Sequence, residues 1–361
     1  MSGIRIEEVA QPGAEWDALV ESAPGGTYCH LAGWRTVMSE VLGHSCQYLE
    51  AREGTKLLGV LPLVAVRSRL FGRFLVSMPF LNYGGPLGTT PARQALTHEA
   101  LKRARAEGVD LLELRDRGLQ ADPGQEAAST VERPSLDEFA GDLELTHRKV
   151  SVLLPLPQDP EVLWTEVFRS KVRSQVRRPM KEGLEARFGA GQVESFYEVF
   201  SVHMRDLGTP VLPRSLFHAL PRVFGEQVRF CVVYREAEPV AAGCGFFCAG
   251  EFEITWAAAL REHSRVAPNM LLYWRMMEEA IEGGAKAFNF GRCTPDTGSH
   301  RFKRQWGGDD VPLPWAAWSS DGNLSTPNPE QARYAAAVGL WQKLPVALTR
   351  FLGPPLARRI P

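Results

Sequence analysis

Apolar and polar residues fall into helical and strand patterns that recur in the same order in each half of this chain. Over residues 15–43, Trp16, Leu19 and Val20, then Leu31, Trp34, Val37, Met38, Val41 and Leu42 keep helical spacing. Pro24-Gly25-Gly26 interrupts them, which predicts two helices. Strand-like runs follow at 46–51, 57–66 and 73–78, the first two joined by a turn at Glu53-Gly54 and therefore expected to pair antiparallel. The stretch SMPFLNYGGPLGTT (77–90) breaks at Gly84-Gly85-Pro86 and leaves Asn82 and Tyr83 at its edge. A helix at 92–107 and a strand at 109–114 complete the half. The second half repeats the order, with helices near 161–182 and 194–207, strands at 228–234, 239–248 and 251–259, a helix at 269–282 and a strand at 285–290. In each half a glycine, Gly108 or Gly284, ends the last helix, where the left-handed cap favours glycine, and an apolar strand follows. The repeat predicts an α/β protein made of two copies of one unit, a duplicated mixed sheet with flanking helices. The units are expected at 1–144 and 145–318, with a linker and tail at 319–361 and an exposed Gly-, Pro- and Ser-rich excursion at 119–135.

The second unit carries the candidate chemistry. In KAFNFGRCTPDTGSHRFKRQWG (286–307) an apolar run stops at Gly291 and enters a loop rich in donors: Arg292, His300, Arg301, Lys303 and Arg304. A strand that delivers its end into such a loop is a common way to build a site. Gly298 is expected to turn the chain, and Ser299 to cap a short helix in which His300, Lys303 and Arg304 share a face. Lys303 suits an electrophilic role, because a cation at a strand end can stabilise an oxyanion developing on an acyl carbonyl. Cys293 and His300 offer a nucleophile and a base, with no third group to orient them. Upstream, Arg169, Arg173, Arg177 and Lys181 recur every four residues, with Lys171 and Arg178 alongside and no acid between. This cationic stripe opposes Leu163, Trp164, Val167, Val172 and Val176 and is either a solvated face or a site for phosphates. Pro179 should kink or restart the helix.

Charge and composition set limits on these readings. Forty-one Lys and Arg against 42 Asp and Glu give a net charge of -1, so no global field commits the chain to nucleic acid or membrane, and any phosphate site must be local. The 361 residues, 44% of them hydrophobic, suffice for more than one core. Six cysteines scattered among apolar neighbours read as reduced core thiols, and Cys244 and Cys248 lack nearby histidines, so no metal is expected. No GxGxxG after a strand, P-loop, HExxH or GxSxG is present. The N-terminal stretch carries acids and lacks a signal-peptide core, and no run approaches the roughly 18 apolar residues of a membrane span, which predicts a cytoplasmic protein. The tail sets Leu340, Trp341, Leu344, Leu348, Phe351 and Leu352 in a helical pattern beside Lys343, Arg350, Arg358 and Arg359, with no acid. It either packs on the body or lies on an anionic surface of the inner membrane.

FNFGR…TGSHRFKRQWG resembles the C-terminal signature of FemAB-type aminoacyl transferases. RSKVRSQVRRPMKEGL (169–184) resembles that family's basic helix, and LNYGGPLG (81–88) its first-half loop. MRDLGTPVLPRSLF and VAPNMLLYWRMMEEAIEGG are similar to its intervening segments. Together with the tail LWQKLPVALTRFLGP, the pattern is similar to the branch found with PEP-CTERM/exosortase exopolysaccharide systems. The resemblance implies two tandem acyltransferase domains of the GNAT type. It also implies transfer of an aminoacyl or acyl group onto an amine of a small-molecule or lipid-linked cell-envelope or exopolysaccharide precursor. The donor would be aminoacyl-tRNA or acyl-CoA, with no bound cofactor. The family's Phe-Lys pair falls on Phe302 and Lys303, the lysine as oxyanion stabiliser, and no dedicated general base is expected. Arg169, Arg173, Arg177 and Lys181 would hold phosphates; beyond what the resemblance implies, Arg292 and Tyr83 are expected to line the pocket. Two features depart from such relatives: HSRVAPNMLL (263–272) lacks the glycines of a CoA pyrophosphate loop, and no coiled-coil arm for tRNA is inserted. An acyl-CoA-dependent N-acyltransferase and a non-catalytic module for a glycan or nucleotide-sugar precursor stay open as alternatives.

Overall fold

The computed structural model describes residues 3–69, 71–117, 142–322, 324 and 335–360; the excursion expected at 119–135 and most of the linker after 319 lie outside them. Among the described residues the strands are β1 (Ile4–Val9), β2 (Ser45–Glu53), β3 (Lys56–Ser68), β4 (Gly72–Val76), β5 (Leu87–Gly88), β6 (Leu111–Arg115), β7 (Glu144–Pro155), β8 (Leu184–Phe188), β9 (Val228–Arg235), β10 (Glu238–Cys248), β11 (Glu251–Ala259), β12 (Ala287–Cys293) and β13 (Asp309–Ser319). They form one sheet in the order β1-β2-β3-β4-β6-β13-β7-β12-β11-β10-β9-β8, with β5 paired to β3.

The duplication is visible in the pairing. Each half has four antiparallel strands, β1 to β4 or β8 to β11. Each then has one parallel neighbour, with Phe74–Val76 beside Leu111–Glu113 in the first half and Glu251–Glu253 beside Ala287–Asn289 in the second. At the centre, β13 joins β6 while β7 joins β12, and β7 and β13 pair with each other. β13, although it follows the second half in sequence, therefore completes the first half, and the two halves share one continuous sheet. Gly108 (φ 59°) and Gly284 (φ 78°) end their helices in the left-handed conformation the sequence requires.

The strand β13 and the helix expected at 161–182 depart from the sequence reading. β13 carries Pro312 and Pro314, which argue against a strand; the register against β7 shifts between Leu313 and Trp315, so Pro314 sits in a bulge that needs no ladder donor. The helix expected at 161–182 breaks at Phe168, whose backbone is extended, and restarts as Ser170–Lys181 with Arg169 as the flanking residue. That second helix runs through Pro179 to Lys181 without the expected restart, and the proline, having no N–H, leaves the Gln175 carbonyl without its helical donor near the end of the helix.

One apolar core lies between the halves. Tyr28 stacks on Phe246 at 4.5 Å and Trp34 packs on Phe224 at 4.9 Å, so first-half aromatics close on second-half strands and helices. A second core, on the other face of the second half, gathers Phe168, Tyr273, Trp274, Phe288, Phe290 and Trp306 under the helices Ser170–Lys181 and Pro268–Glu282. The tail helix Val346–Ala357 packs on the helix Val193–Leu207 through Thr349, Gly353 and Ala357.

Candidate functional site

A wedge opens in the second half where β11 and β12 part. β11 stays paired with β10 to Ala259, but it pairs with β12 only over Glu251–Glu253. Among the described residues no strand covers the other edge of β11 from Ile254 to Ala259, so that edge can pair with an extended ligand. The equivalent wedge of the first half is filled by its own chain. Ser77 N donates to Glu113 O (2.9 Å), Arg115 N to Ser77 Oγ (2.7 Å), Arg115 Nη1 to Leu81 O (2.9 Å) and Gly85 N to Arg115 O (2.8 Å). One wedge is closed and one is open.

Chemistry gathers at the open wedge around Gly291. Phe290 and Gly291 form a bulge against β7, and Gly291 takes φ 68°, a conformation glycine adopts without steric cost. Lys303 from the helix Gly298–Arg304 reaches this bulge: its Nζ donates to the carbonyls of Gly291 (2.7 Å) and Arg292 (2.9 Å), and the residue is 7% exposed. An ammonium has three donors, and among the described residues the third is free. Burial pushes Lys303 down to about 8, with Cys293 and Glu253 opposing that shift.

Glu253 stands on β11 across from the lysine. A Cβ at Gly291 would lie 3.6 Å from its Oε1. The carboxylate accepts from Asn82 Nδ2 at 2.7 Å, and burial pushes it up to about 7 against the lowering effects of that hydrogen bond and of Arg117. A small cavity bordered by Thr27, Tyr28, Glu251 and Glu253 adjoins it. Two titratable groups on either side of one backbone turn, tuned towards neutrality from opposite directions, are suited to proton transfer and charge stabilisation at the same centre.

The first half braces this centre. Asn82 reaches Glu253, Arg117 Nη2 pairs with Glu251 at 2.6 Å, and Tyr83 Oη donates to Ser151 Oγ at 3.0 Å. Ser151 Oγ donates to Asn289 Oδ1 (2.5 Å), which also accepts from Gly291 N (2.9 Å), while Asn289 Nδ2 donates to Tyr83 Oη (3.2 Å). Tyr83 is fully buried, and its hydroxyl ties Ser151 and Asn289 together beside the bulge.

The other candidates divide into engaged and available groups. Arg292 keeps exposed surface and has no ion pair among the described residues, while burial around its guanidinium, with Arg115 beside it, pushes it down to about 10. Its guanidinium lies 4.7 Å from the ring of Trp315, which Arg115 also approaches at 4.7 Å. Phe302 packs edge-on against Tyr273 (5.0 Å) in the second core. Arg173 Nη1 donates to the carbonyls of Phe168 (2.5 Å), Trp164 (3.1 Å) and Thr165 (3.3 Å), closing the helical turn before the break, and Arg177 stacks on Trp164 (5.1 Å). Arg169 and Lys181 are exposed and carry no ion pair among the described residues. Arg173→Ala should therefore lower stability by roughly 0.5–1.5 kcal/mol through the lost hydrogen bonds, whereas Arg169→Ala and Lys181→Ala should leave the melting temperature unchanged; thermal denaturation of the three variants checks this.

The short helix is built differently from the sequence expectation. Thr297, not Ser299, caps it, its hydroxyl accepting from His300 N at 3.3 Å, and Asp296 (φ 63°), not Gly298, makes the left-handed turn. His300 and Arg304 turn to Asp310 and Asp309, both 3.0 Å away, while Lys303 turns inward. His300 Nδ1 accepts from Asp296 N, and burial pushes the Cys293 thiol up, so the pair is not set up as base and nucleophile. Sequence reasoning missed Glu253. Its signal was the alternation of acids in EFEITW, two carboxylates on one face of an otherwise apolar strand.

Residues 168–304 match the family described as an acetyltransferase (GNAT) domain. No curated protein matches the sequence. Among solved structures the chain is similar to FemX, at 16% identity and a TM-score of 0.63, over 87% of this chain and 97% of that one. It is also similar to the C-terminal domain of an Agrobacterium fabrum protein described as a lysylphosphatidylglycerol synthetase (14%, TM-score 0.51, 79% and 84% covered). A tandem GNAT protein from the clavulanic acid biosynthesis pathway is similar at 14% identity and a TM-score of 0.51, with 87% and 98% covered. The fold is that of tandem GNAT proteins, a mixed α/β sheet with the GNAT domain match in the second half.

Proposed function

We propose that this chain is an N-acyltransferase with one active site, in the open wedge of the second half. The observation that carries the reading is the placement of Lys303 and Glu253 on either side of Gly291, beside a strand edge free to align an extended donor. The amine nitrogen of the acceptor attacks the acyl carbonyl, a C–N bond forms, and the C–O or C–S bond to the donor breaks. Lys303 gives its third N–H to the oxyanion, and Glu253 takes the proton the amine loses and returns it to the leaving oxygen or sulfur, which departs as the donor's hydroxyl or thiol. The first half, its own wedge filled, serves as scaffold. We assign Arg292, which has no ion pair among the described residues, to an anionic group of the acceptor.

The donor favoured by the local chemistry is an aminoacyl ester of tRNA. Arg169, Lys171, Arg178 and Lys181 have no ion pair among the described residues, which suits a polyphosphate backbone. The loop into the helix Pro268–Glu282 has Pro268, without an N–H, where CoA enzymes of this fold present backbone donors. A lipid-linked acceptor is supported by the name of one similar structure, which carries an aminoacylated lipid. We therefore read the acceptor as an amine on a lipid-linked envelope or exopolysaccharide precursor, with the chain working at the cytoplasmic face of the inner membrane.

Equilibrium binding and single-turnover assays with charged tRNA and with a panel of acyl-CoA thioesters, each with amine acceptors, test the donor. Binding to charged tRNA that weakens with salt, and that Arg169→Ala with Lys181→Ala weakens further, is expected. Turnover with a thioester alone would replace that donor by acyl-CoA. Neither binding nor turnover with any donor would overturn the enzyme reading.

A further inference from the structure

The tail has two faces, and the larger apolar side chains are on the outer one. The helix Val346–Ala357 docks through Thr349 (1% exposed), Gly353 and Ala357, spaced four apart, and a Cβ at Gly353 would stand 3.0 Å from Val211 N. Arg350 locks the contact, its Nε donating to Ser201 Oγ at 2.8 Å. Small residues thus make the dock. On the opposite side Phe351 is 77% exposed, Leu348 40% and Leu352 38%, and Leu340 of the preceding helix Ala335–Trp341 is 65% exposed. Leu207 adds to the same region, since the neighbouring Gly208 packs against Val338 of that helix. An ordinary surface helix buries its phenylalanine and leucines; this one presents them.

Charge indicates what covers the patch. Residues 335–361 contain Lys343, Arg350, Arg358 and Arg359 and no acid, in a chain whose net charge is -1. Lys343 and Arg359 are exposed at either end of the apolar face. Large apolar side chains flanked by cations of one sign fit a surface that is apolar within and anionic at its rim. No helix among the described residues is long and apolar enough to cross a membrane, so contact lies in the plane. We propose that Leu340, Leu348, Phe351 and Leu352, with Lys343 and Arg359, form a docking surface for a bilayer containing anionic lipid. The inference stands on the tail alone and does not depend on the catalytic reading.

Sedimentation of the full chain with phosphatidylcholine vesicles, with and without phosphatidylglycerol, tests it. The chain should bind the anionic vesicles and not the neutral ones, and added salt should weaken binding. Leu340→Ser with Phe351→Ser, and separately Lys343→Glu with Arg359→Glu, should each lower partitioning roughly tenfold or more without lowering the melting temperature, since all four side chains are exposed. No binding to anionic vesicles, or binding that both double variants retain, overturns the proposal. So does a concentration-dependent dimer in sedimentation velocity that Leu340→Ser with Phe351→Ser abolishes, because a second copy would then cover the patch.

Discussion

Lys303→Ala should lower single-turnover acyl transfer on the order of a hundredfold or more, the cost of removing one preorganised oxyanion donor. The side chain is well placed for this. Two of its donors are spent on the Gly291 and Arg292 carbonyls, which fixes the ammonium at the wedge and leaves the third donor for the acyl oxygen. The same two contacts mean that alanine also strands two carbonyls, so a loss of activity through unfolding has to be separated from a loss of chemistry. Lys303→Gln does this, because its amide keeps N–H donors but no charge. It should retain the melting temperature better than alanine and still lose most of the rate. The defect should fall on turnover, with donor binding little changed, because the interaction strengthens only as charge develops on oxygen. Near-normal turnover by a folded Lys303→Ala protein would remove the lysine from the mechanism and leave it as a cap on the strand bulge.

The fold was largely readable because its grammar is local. Gly108 and Gly284 mark helix ends by backbone conformation alone, and the apolar runs 228–234, 239–248 and 251–259 nearly coincide with β9, β10 and β11. What escaped depends on pairing across long separations. β7 and β13 meet each other and both halves only through the completed sheet, and the prolines of β13 conceal it until the bulge at Pro314 is seen. The site divides the same way. Lys303 and Arg292 lie in one legible stretch, but Glu253 acquires its character from Asn82, 171 positions away in sequence, and from burial that no single segment supplies. The cationic stripe shows the converse error: equal spacing suggested equal roles, while packing commits Arg173 to carbonyls and Arg177 to an indole and leaves Arg169 and Lys181 free for a ligand among the described residues.

Glu253→Gln should cost about a hundredfold or more in turnover, the usual contribution of a positioned base, and the pH profile should show why. With Glu253 near 7 and Lys303 near 8, the active form needs the carboxylate deprotonated and the ammonium protonated. The rate should rise through pH 7, fall above pH 8, and peak in the narrow interval between. In Glu253→Gln the acidic limb should vanish while the alkaline limb, set by Lys303, stays. Stability should move the other way. A carboxyl whose folded value lies above its unfolded one holds its proton more tightly when folded, so its contribution is fully present below the unfolded value and is lost as pH rises through about 7. At pH 8 the parent therefore keeps a buried, charged carboxylate, and glutamine, which can still accept from Asn82, relieves it. The variant's melting temperature at pH 8 should equal or exceed the parent's while its turnover falls. If Glu253 serves only to satisfy Asn82, glutamine would leave both the rate and the acidic limb intact, and the amine would have to lose its proton to solvent or substrate instead.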